Sequence, residues 1–425
     1  MRFNYCLAFI LSCLCATVSA ENKLSDKQKL GRLLFKDKNL SANRNQACET
    51  CHGLGALPKS ISSQSAPAFV DRLNVKNGTP VSLGSTPFAT GKLNAPSVGY
   101  AAFSPSFHWD DTEGLYVGGL FWNGRATDLV EQAKMPFLNP VEMAMPSQWA
   151  VVSRLKENEV YVKLFSDIYH IDLNKIPHIK DALFNQPTPT EVATVYTDLA
   201  LAIAEFELSA VFNKFNSKFD FVMAGKTRFT KLEKLGMTLF NDENKGNCAA
   251  CHPSEVTIDA SGNKLPPLFT DFTYDNIGAP RNLTIPGNPE PDLGLGGRSD
   301  IRKADPERAE LGKHKVMSLR NIAITPPYGH NGVFTSLEQI THFYNTRDVL
   351  GTVDNNQQPN FGVTGWPKPE IAKNVNTDEL GDLGLTDDEE KAIVAFLKTL
   401  TDDYPDWGND PLVPPGTPSP YSVTP

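Results

Sequence analysis

The sequence contains two short motifs whose residue types and spacing suit one particular chemistry. Each motif reads C-x-x-C-H and supplies two cysteines and one histidine: Cys48, Cys51 and His52 in the first, and Cys248, Cys251 and His252 in the second. Thiols at this spacing can form thioethers with the vinyl groups of a porphyrin, and the adjacent histidine can then ligate the iron. A redox dithiol or half of a zinc site is the alternative for such a pair. The motifs predict two covalently bound c-type haems.

The first twenty residues have the pattern of an export signal. Arg2 precedes an apolar stretch at about residues 7–18, and small residues follow up to Ala20. This order is typical of a cleaved secretory signal peptide, and the stretch is too short to span a bilayer. A lipid anchor at Cys13 or Cys15 is an alternative. We expect cleavage after Ala20, a periplasmic location and no membrane span in the rest of the chain.

Removal of residues 1–20 would leave four of the seven cysteines, all of them in the two motifs. No cysteine then remains for a structural disulfide, even in an oxidising compartment. The formal net charge of −9 argues against nucleic acid as a partner. It is typical of a soluble acidic surface.

A longer repeat precedes the two haem motifs. Residues 29–35 read K-L-G-R-L-L-F, and residues 234–240 read K-L-G-M-T-L-F. Leu30, Leu33 and Leu34 have the i, i+3, i+4 spacing that predicts a buried helical face. A helix, a loop and a C-x-x-C-H motif therefore occur twice. This duplication predicts a mainly α fold with two cytochrome c-type haem domains.

The duplication also places the domain boundaries. After a signal peptide at 1–20, we expect a first haem domain at 21–215 and a second at 216–405. The tail at 406–425 is rich in proline, which excludes regular helix and central strand, so it should be irregular.

Further helices are predicted near 191–212, from apolar residues at helical spacing, and near 386–400, which begins with a capping box at Thr386. Few segments have a strand pattern. Irregular loops rich in Gly and Pro fill 53–110 and 253–316, and a large cofactor could order loops of this length.

Two longer blocks of sequence identify a family. Residues 121–143 contain F-W-N-G-R, E-Q-A, P and N-P-V-E-M in that order, and residues 318–332 contain S-L-R-N and T-P-P-Y-G-H-N-G. Together with the haem motifs, these blocks resemble the bacterial dihaem cytochrome c peroxidases and their relative MauG. The resemblance covers most of the chain after the signal peptide, and it implies a dihaem enzyme that uses hydrogen peroxide.

The resemblance assigns roles at the first haem, whose iron His52 would ligate. Gln132 would hydrogen-bond peroxide or a water molecule, and Glu142 would move a proton from one peroxide oxygen to the other. Many members of the family block this site with a histidine shortly after the first motif. Here Ala68 stands near that position, and the next histidine is His108. The first haem should therefore keep an open position.

At the second haem, with His252 on one side, the resemblance makes Tyr344 the decisive residue. The peroxidases have a methionine fourteen positions after the histidine of the second block, whereas this chain has Tyr344 there, as MauG has a tyrosine. A phenolate ligand should stabilise oxidised iron, whereas methionine favours reduced iron. His342 and Met317 are the alternative ligands. The helix that carries Tyr344 is predicted to begin after Thr335, with a capping box.

Three further features follow from the resemblance. Trp122 would lie between the haems as an electron relay. One calcium ion would be bound by Asn94, Thr325 and Pro327, since amide and carbonyl oxygens suit this ion. The surface tryptophan that MauG has just before its second haem motif has no counterpart, because Gly246 and Asn247 precede that motif here.

These features favour one function over two alternatives. We expect a periplasmic, MauG-like oxidoreductase that uses hydrogen peroxide to reach a high-valent state and then oxidises a Trp or Tyr of a partner protein. The first alternative is a cytochrome c peroxidase that reduces peroxide to water with electrons from a small redox protein. The second is a non-catalytic electron carrier. Tyr344 favours the MauG-like enzyme, and Glu142 and Gln132 argue against the carrier.

Removing the thiols of one motif at a time tests covalent attachment. Replacing Cys48 and Cys51 with serine should remove one haem, and the same change at Cys248 and Cys251 should remove the other, because each haem needs its own thioethers. Haem staining after denaturing electrophoresis and a pyridine haemochrome count measure the loss. Loss of both haems from a folded single-motif variant would contradict two independent sites.

Overall fold

The computed structural model describes residues 24–182, 186–258, 264–421 and 423. The predicted signal peptide, with Cys13 and Cys15, lies outside these residues. None of the helices within the described ranges is both long and apolar enough to cross a membrane.

Helices make up most of the regular structure, which confirms the mainly α prediction. The α-helices are α1 (Asp26–Lys36), α2 (Cys48–Cys51), α3 (Arg72–Asn77), α4 (Leu129–Leu138), α5 (Gln148–Leu155), α6 (Glu159–Tyr169), α7 (Thr190–Glu207), α8 (Lys218–Met223), α9 (Lys231–Phe240), α10 (Ser299–Ala304), α11 (Leu337–Thr346), α12 (Asp387–Lys398) and α13 (Tyr404–Trp407). Short 3₁₀ helices lie at Lys38–Leu40, Ala101–Phe103, Leu173–Lys175, Ile179–Asp181, Cys248–Ala250, Gly294–Gly297 and Ile322–Ile324.

Within the described ranges, the strands are two or three residues long and form two-stranded pairs. They are β1 (His108–Asp110), β2 (Leu115–Val117), β3 (Thr257–Ile258), β4 (Lys264–Leu265), β5 (Tyr274–Asp275), β6 (His314–Lys315), β7 (Gly351–Thr352) and β8 (Gly365–Trp366). The first three pairs, β1–β2, β3–β4 and β5–β6, are antiparallel, and β7–β8 is parallel. Long irregular connections join these elements, as predicted.

The repeated sequence produces the same helix crossing twice. α1 crosses α7 at Gly31, where a Cβ atom would lie 1.8 Å from the carbonyl oxygen of Ala202. α9 crosses α12 at Gly236, where a Cβ atom would lie 1.9 Å from the carbonyl oxygen of Ala392. Both distances are far below van der Waals contact, so each crossing requires glycine.

Each crossing is the centre of one apolar core. In the first half Phe35 contacts Phe206, with ring centroids 5.6 Å apart, and in the second half Phe240 contacts Phe396 at 5.2 Å. The first core contains buried residues between 30 and 212, and the second contains buried residues between 219 and 400.

The buried face of α1 differs from the predicted one. Leu30 and Leu34 are buried, but Leu33 is 44% exposed. Because α7 approaches so closely at Gly31, the buried stripe of α1 runs along Leu30, Gly31, Leu34 and Phe35. Leu33 lies outside this narrow stripe and faces solvent.

The ends of the predicted helices agree in part with the structure. α7 ends at Glu207, before the predicted end at 212, while α12 begins after Thr386, whose capping box with Glu389 is present. α11 is capped by Ser336, one residue later than expected, because Thr335 instead donates its backbone N–H to the side chain of Gln339.

Buried polar contacts join the two halves. The side chain of Arg320, which is completely buried and pairs with Asp220 of its own half at 2.7 Å, lies over the ring of Tyr100 in the first half, 5.3 Å from its centroid. Tyr100, from the first half, donates its hydroxyl to Asp402, from the second, at 2.8 Å. The tail after Trp407 has no helix or strand within the described residues, yet Val413 is buried.

Substitution of Gly31 by alanine should test the crossing. The new Cβ would overlap a backbone oxygen that cannot rotate away, so α1 and α7 must separate, at a cost of about 1–3 kcal/mol or more. The thermal unfolding midpoint of the haem-loaded variant should fall. Gly91→Ala is the control, because its Cβ would meet its nearest atom at 3.4 Å, an ordinary contact. Equal midpoints for the two variants would contradict the close crossing.

Candidate functional site

One cavity of about 330 Å³ connects the two haem motifs. Predicted site residues from both halves line it: His52, Gln132 and Trp122 from the first, and His252, Cys248, Cys251 and Tyr344 from the second. The walls come from α4, α9, α11 and α12 and from the irregular segments before and after β5 and β6. The fold therefore brings these residues, distant in sequence, to a single space.

The two motif histidines are oriented in the same way. Nδ1 of His52 lies 3.4 Å from the carbonyl oxygen of Phe69, and Nδ1 of His252 lies 2.7 Å from that of Phe269. Both phenylalanines have a φ of +54°, which is unusual for a bulky residue and sets the direction of the carbonyl. With Nδ1 bound to a carbonyl, Nε2 is the nitrogen left for a metal.

Burial keeps both imidazoles neutral. It lowers the pKa of His52, and it lowers the pKa of His252 to about 4. The neutral ring is the form that ligates iron. The two histidines thus have the orientation and the protonation state that haem ligation requires.

The motif cysteines lack the properties of a redox pair. Cys48 and Cys51 lie on α2, and Cys248 lies on a 3₁₀ turn beside Cys251. Burial raises the pKa of Cys51 and of Cys248 to about 12, whereas redox-active dithiols need a lowered thiol pKa. All four thiols are free and precede the motif histidines, so they fit thioether attachment.

A zinc site also finds little support. Among the described residues, the one group with metal-ligating spacing is Cys251, Asp275 and Glu379. Its thiol belongs to the second haem motif. Attachment of a haem would use the sulfur of Cys251 and leave only the carboxylates of Asp275 and Glu379 as possible zinc ligands in this group.

Gln132 and Glu142 both lie on the side of the first motif. Gln132 is on α4 and lines the cavity, while Glu142 follows the helix in a turn where Asn139 donates to its Oε1 at 2.6 Å. Burial raises the pKa of Glu142, and Arg125 and Asn139 oppose this rise. A negative charge on Glu142 would raise the pKa of both first-motif thiols, which places its carboxyl near that haem position.

The first site has no second histidine at the position where the family can have one. Ala68 is buried, and its carbonyl accepts a hydrogen bond from Ser97. His108 is exposed on β1, with Nδ1 2.8 Å from the carbonyl of Ser106, and it does not line the cavity. His108 is therefore not placed as an iron ligand.

Tyr344 points from α11 into the cavity, together with Leu337 and Ile340 of the same helical face. Burial, and then charge on Cys251 and Cys248, raise the pKa of Tyr344, so the phenol lies near the second motif. His342 has the opposite orientation: its Nδ1 lies 2.9 Å from Glu390. Met317 does line the cavity.

Trp122 lines the cavity that the two motif histidines also line. Its indole N–H donates to the carbonyl of Asn94 at 2.8 Å, and its ring contacts that of His330, with centroids 6.4 Å apart. His330 stacks on His314 at 3.6 Å. This pair was not predicted, since nothing in the sequence links the two histidines.

Each histidine of this pair is bound to a carboxylate. Nε2 of His330 lies 3.0 Å from Glu370, and Nε2 of His314 lies 3.0 Å from Asp292. Burial and the neighbouring His330 lower the pKa of His314 to about 4. Trp122, through its contact with His330, therefore borders a buried network of two imidazoles and two carboxylates.

The three predicted calcium ligands line the same cavity as Trp122, and two of them, Asn94 and Pro327, are in contact. Asn94 has its side-chain amide 2.6 Å from the carbonyl oxygen of Pro327, and its backbone N–H donates to His330. Thr325 is close by in the chain and turns its hydroxyl to Ile322. The Thr325 and Pro327 carbonyls and the Asn94 amide are oxygen donors that suit Ca²⁺.

The chain is similar to proteins of one family. Residues 25–228 match the family model for di-haem cytochrome c peroxidase. The methylamine utilization protein MauG of Paracoccus denitrificans is 39% identical over 379 residues, which cover 88% of each chain. The cytochrome c551 peroxidase of Nitrosomonas europaea is 28% identical and covers 94% of this chain and 86% of its own.

A solved structure has the same fold. The dihaem peroxidase BthA of Burkholderia thailandensis matches with a TM-score of 0.69 at 26% identity. The match covers 89% of this chain and 86% of BthA.

Glu142→Gln tests the acid–base assignment. The variant keeps the shape of the side chain but cannot accept a proton, so its reaction with peroxide should slow by about 10²–10⁴-fold. In the parent protein the rate should rise with pH through the raised pKa of Glu142, because the carboxylate is the form that accepts a proton. Stopped-flow absorbance at the haem Soret band measures both.

The control for this experiment is Glu113→Gln, which changes an exposed carboxyl on the turn between β1 and β2. Its peroxide rate should equal that of the parent protein. An unchanged rate in the Glu142 variant with both haems bound would remove Glu142 from the mechanism.

Proposed function

Because the chain belongs to the family of dihaem cytochrome c peroxidases and MauG, we propose that this dihaem oxidoreductase is of the MauG type: it uses hydrogen peroxide to oxidise a tryptophan or tyrosine of a partner protein. The observation that carries this proposal is the position of Tyr344. Its phenol shares the cavity wall with His252 and lies near Cys248 and Cys251. Tyr344 is thus available as the second ligand of the iron that His252 would bind.

The second ligand of the second haem distinguishes a MauG-type enzyme from a cytochrome c peroxidase. Two haems, when bound, would supply the redox chemistry, with peroxide reacting at the first. A tyrosine ligand at the second would make its iron hard to reduce and so better suited to hold an oxidising equivalent than to accept electrons from a donor. The 39% identity with a MauG over most of both chains supports the same choice.

The residues around the first position support a reaction with peroxide. Glu142 would carry the proton, Gln132 would orient peroxide, and Ala68 leaves the site open. Trp122 would pass oxidising equivalents between the two sites, and its place on the wall of the cavity shared by His52 and His252 supports this role. A simple electron carrier needs neither Glu142 nor Gln132.

A cytochrome c peroxidase is the second candidate, and one observation favours it. Met317 also lines the cavity, and methionine is a ligand that raises the reduction potential. The relative from Nitrosomonas europaea is a peroxidase by name. In this case peroxide would be reduced to water with electrons from a small redox protein.

The proposal includes the maturation and location of the protein. It includes covalent attachment of the haems through the four thiols and a calcium ion at Asn94, Thr325 and Pro327. It also includes a periplasmic location after removal of residues 1–20.

The route of oxidising equivalents to the partner must differ from one that uses a tryptophan before the second motif. At Gly246 a Cβ would lie 2.4 Å from the carbonyl of Leu239, so no larger residue fits there.

Tyr344→Met tests the choice between the two enzymes. The parent protein should show one high-spin and one low-spin ferric haem, no methionine–iron charge-transfer band, and a long-lived state two electrons above the resting protein after peroxide is added. The variant should have a second haem that is reduced at higher potential, because thioether replaces phenolate, and should lose the long-lived state. EPR, near-infrared absorption and potentiometry measure these properties.

Met317→Leu is the matched control, and it should keep the parent spectrum. A methionine band that disappears in Met317→Leu would instead identify Met317 as the ligand. Fast turnover with a reduced small cytochrome and no long-lived state would assign the protein to the ordinary peroxidases.

A further inference from the structure

A buried carboxyl group on the first-haem side of the cavity has no part in the function proposed above. Glu207, the last residue of α7, is 3% exposed and lines the same cavity as His52. Its Oε2 is buried and has no hydrogen-bond partner among the described residues. An unpaired carboxylate in such a place costs much free energy, so the group must keep a proton or compensate a positive charge.

The second half has no acid at the equivalent position. In each half a phenylalanine packs against the crossing glycine, with its Cβ 2.8 Å from the ideal Cβ of that glycine: Phe206 in α7 and Phe396 in α12. The residue that follows is Glu207 in α7 and Leu397 in α12, and both line the cavity. The duplicated fold therefore places a carboxyl on the side of His52 and an apolar group on the side of His252.

Burial raises the pKa of Glu207 to about 8. Cys48 on α2 is near, because charge on Glu207, after burial itself, raises the pKa of Cys48. Tyr100 and Arg320 share the cavity wall, and Arg320 is paired with Asp220.

Other charged groups lie on the helices that pack against α7. These are Asp26, Lys27, Lys29, Arg32 and Lys36 on α1, Glu131 and Lys134 on α4, and Arg154 on α5. All those on α1 are exposed, and Arg154 donates to the carbonyl of Asn39. Burial, and none of these charges, accounts for the raised pKa.

We propose that Glu207 is a redox-linked proton site of the first haem: it keeps its proton while that haem is reduced and releases it when the haem loses an electron. The bond that breaks is the O–H bond of Glu207, and the proton passes to water in the cavity. The electron passes to the electrode, or to the one-electron chemical oxidant of a potentiometric titration. Loss of the electron leaves one more positive charge near the carboxyl, which lowers its pKa.

The direction of the pH effect follows from this linkage. The pKa of Glu207 is lower when the first haem is oxidised than when it is reduced, so high pH favours the oxidised form. Between the two pKa values the reduction potential should fall as pH rises, with a limit of about 59 mV for a tenfold change in proton concentration. Leu397 cannot contribute such a slope at the second haem.

Glu207→Gln in the protein with both haems bound is the test. The variant keeps a polar side chain of the same size but cannot release a proton. We expect that the reduction potential of the first haem in this variant loses most of its dependence on pH. The potential is measured by potentiometric titration, with the EPR signal of that haem as the readout. In the parent protein, the oxidised-minus-reduced infrared difference spectrum should show loss of a protonated carboxyl C=O band that is absent in the variant. A parent-like slope or band in Glu207→Gln would overturn the proposal.

Two further variants keep the result decisive. Glu207→Leu copies the residue that the second half has at this position, so it offers a second protein without the acid if Glu207→Gln folds poorly. Leu397→Gln, the matched control in the second half, should leave the slope of the first haem as in the parent. The inference requires the first haem but not Tyr344 ligation or partner oxidation, so a slope that persists in Tyr344→Met would separate it from the function proposed above.

Discussion

The close approach of two helices at a glycine is the constraint on which both halves depend. At Gly31 and at Gly236 the partner backbone occupies the space of a side chain, so the helix axes have one separation and one register. The phenylalanines next to the crossing then fill the core, and the haem motif follows the first helix after a short loop. Each motif is therefore presented to the cavity from the same direction. A change at either glycine would therefore disturb the packing of its core.

The cavity owes its chemistry to burial more than to charge. Burial keeps His52 and His252 neutral, keeps the thiols protonated until they react, and raises the pKa of Glu142. Two phenylalanine carbonyls, each aimed by a positive φ, then decide which nitrogen of each imidazole remains for iron. The apolar walls thus select protonation states, and the backbone selects directions. Few ion pairs are needed for this.

Much of the fold could be predicted from the sequence, because it depends on local patterns. Glycine in a repeated helix, the Thr386 capping box and the helical spacing of Leu337, Ile340 and Tyr344 are all visible in the chain. The exposure of Leu33 could not be predicted. It depends on the short distance between α1 and α7, and the spacing of apolar residues along the sequence gives no information on that distance.

In the site, too, the residues that lie in sequence motifs could be predicted, whereas those brought together only by the fold could not. The haem residues have a motif, and Gln132, Glu142 and Trp122 lie in a recognisable block. The stacked pair of His314 and His330 has no local signature, because it forms where β6 and the loop before α11 meet. Glu207 resembles any acidic residue at a helix end until its burial is known.

The packing of the tail bears on how the protein is assembled. Tyr421 and Val423 pack against Tyr100 and Phe215, and Ser419 donates to the carbonyl of Phe215 at 2.6 Å. Ser419, Tyr421 and Val423 therefore complete the packing around Tyr100, a residue of the cavity wall that stands far earlier in the chain. Loss of these residues would expose Tyr100 and Phe215 to water and so weaken the cavity wall. We expect that removal of these residues lowers the thermal unfolding midpoint, although it deletes no group with a chemical role.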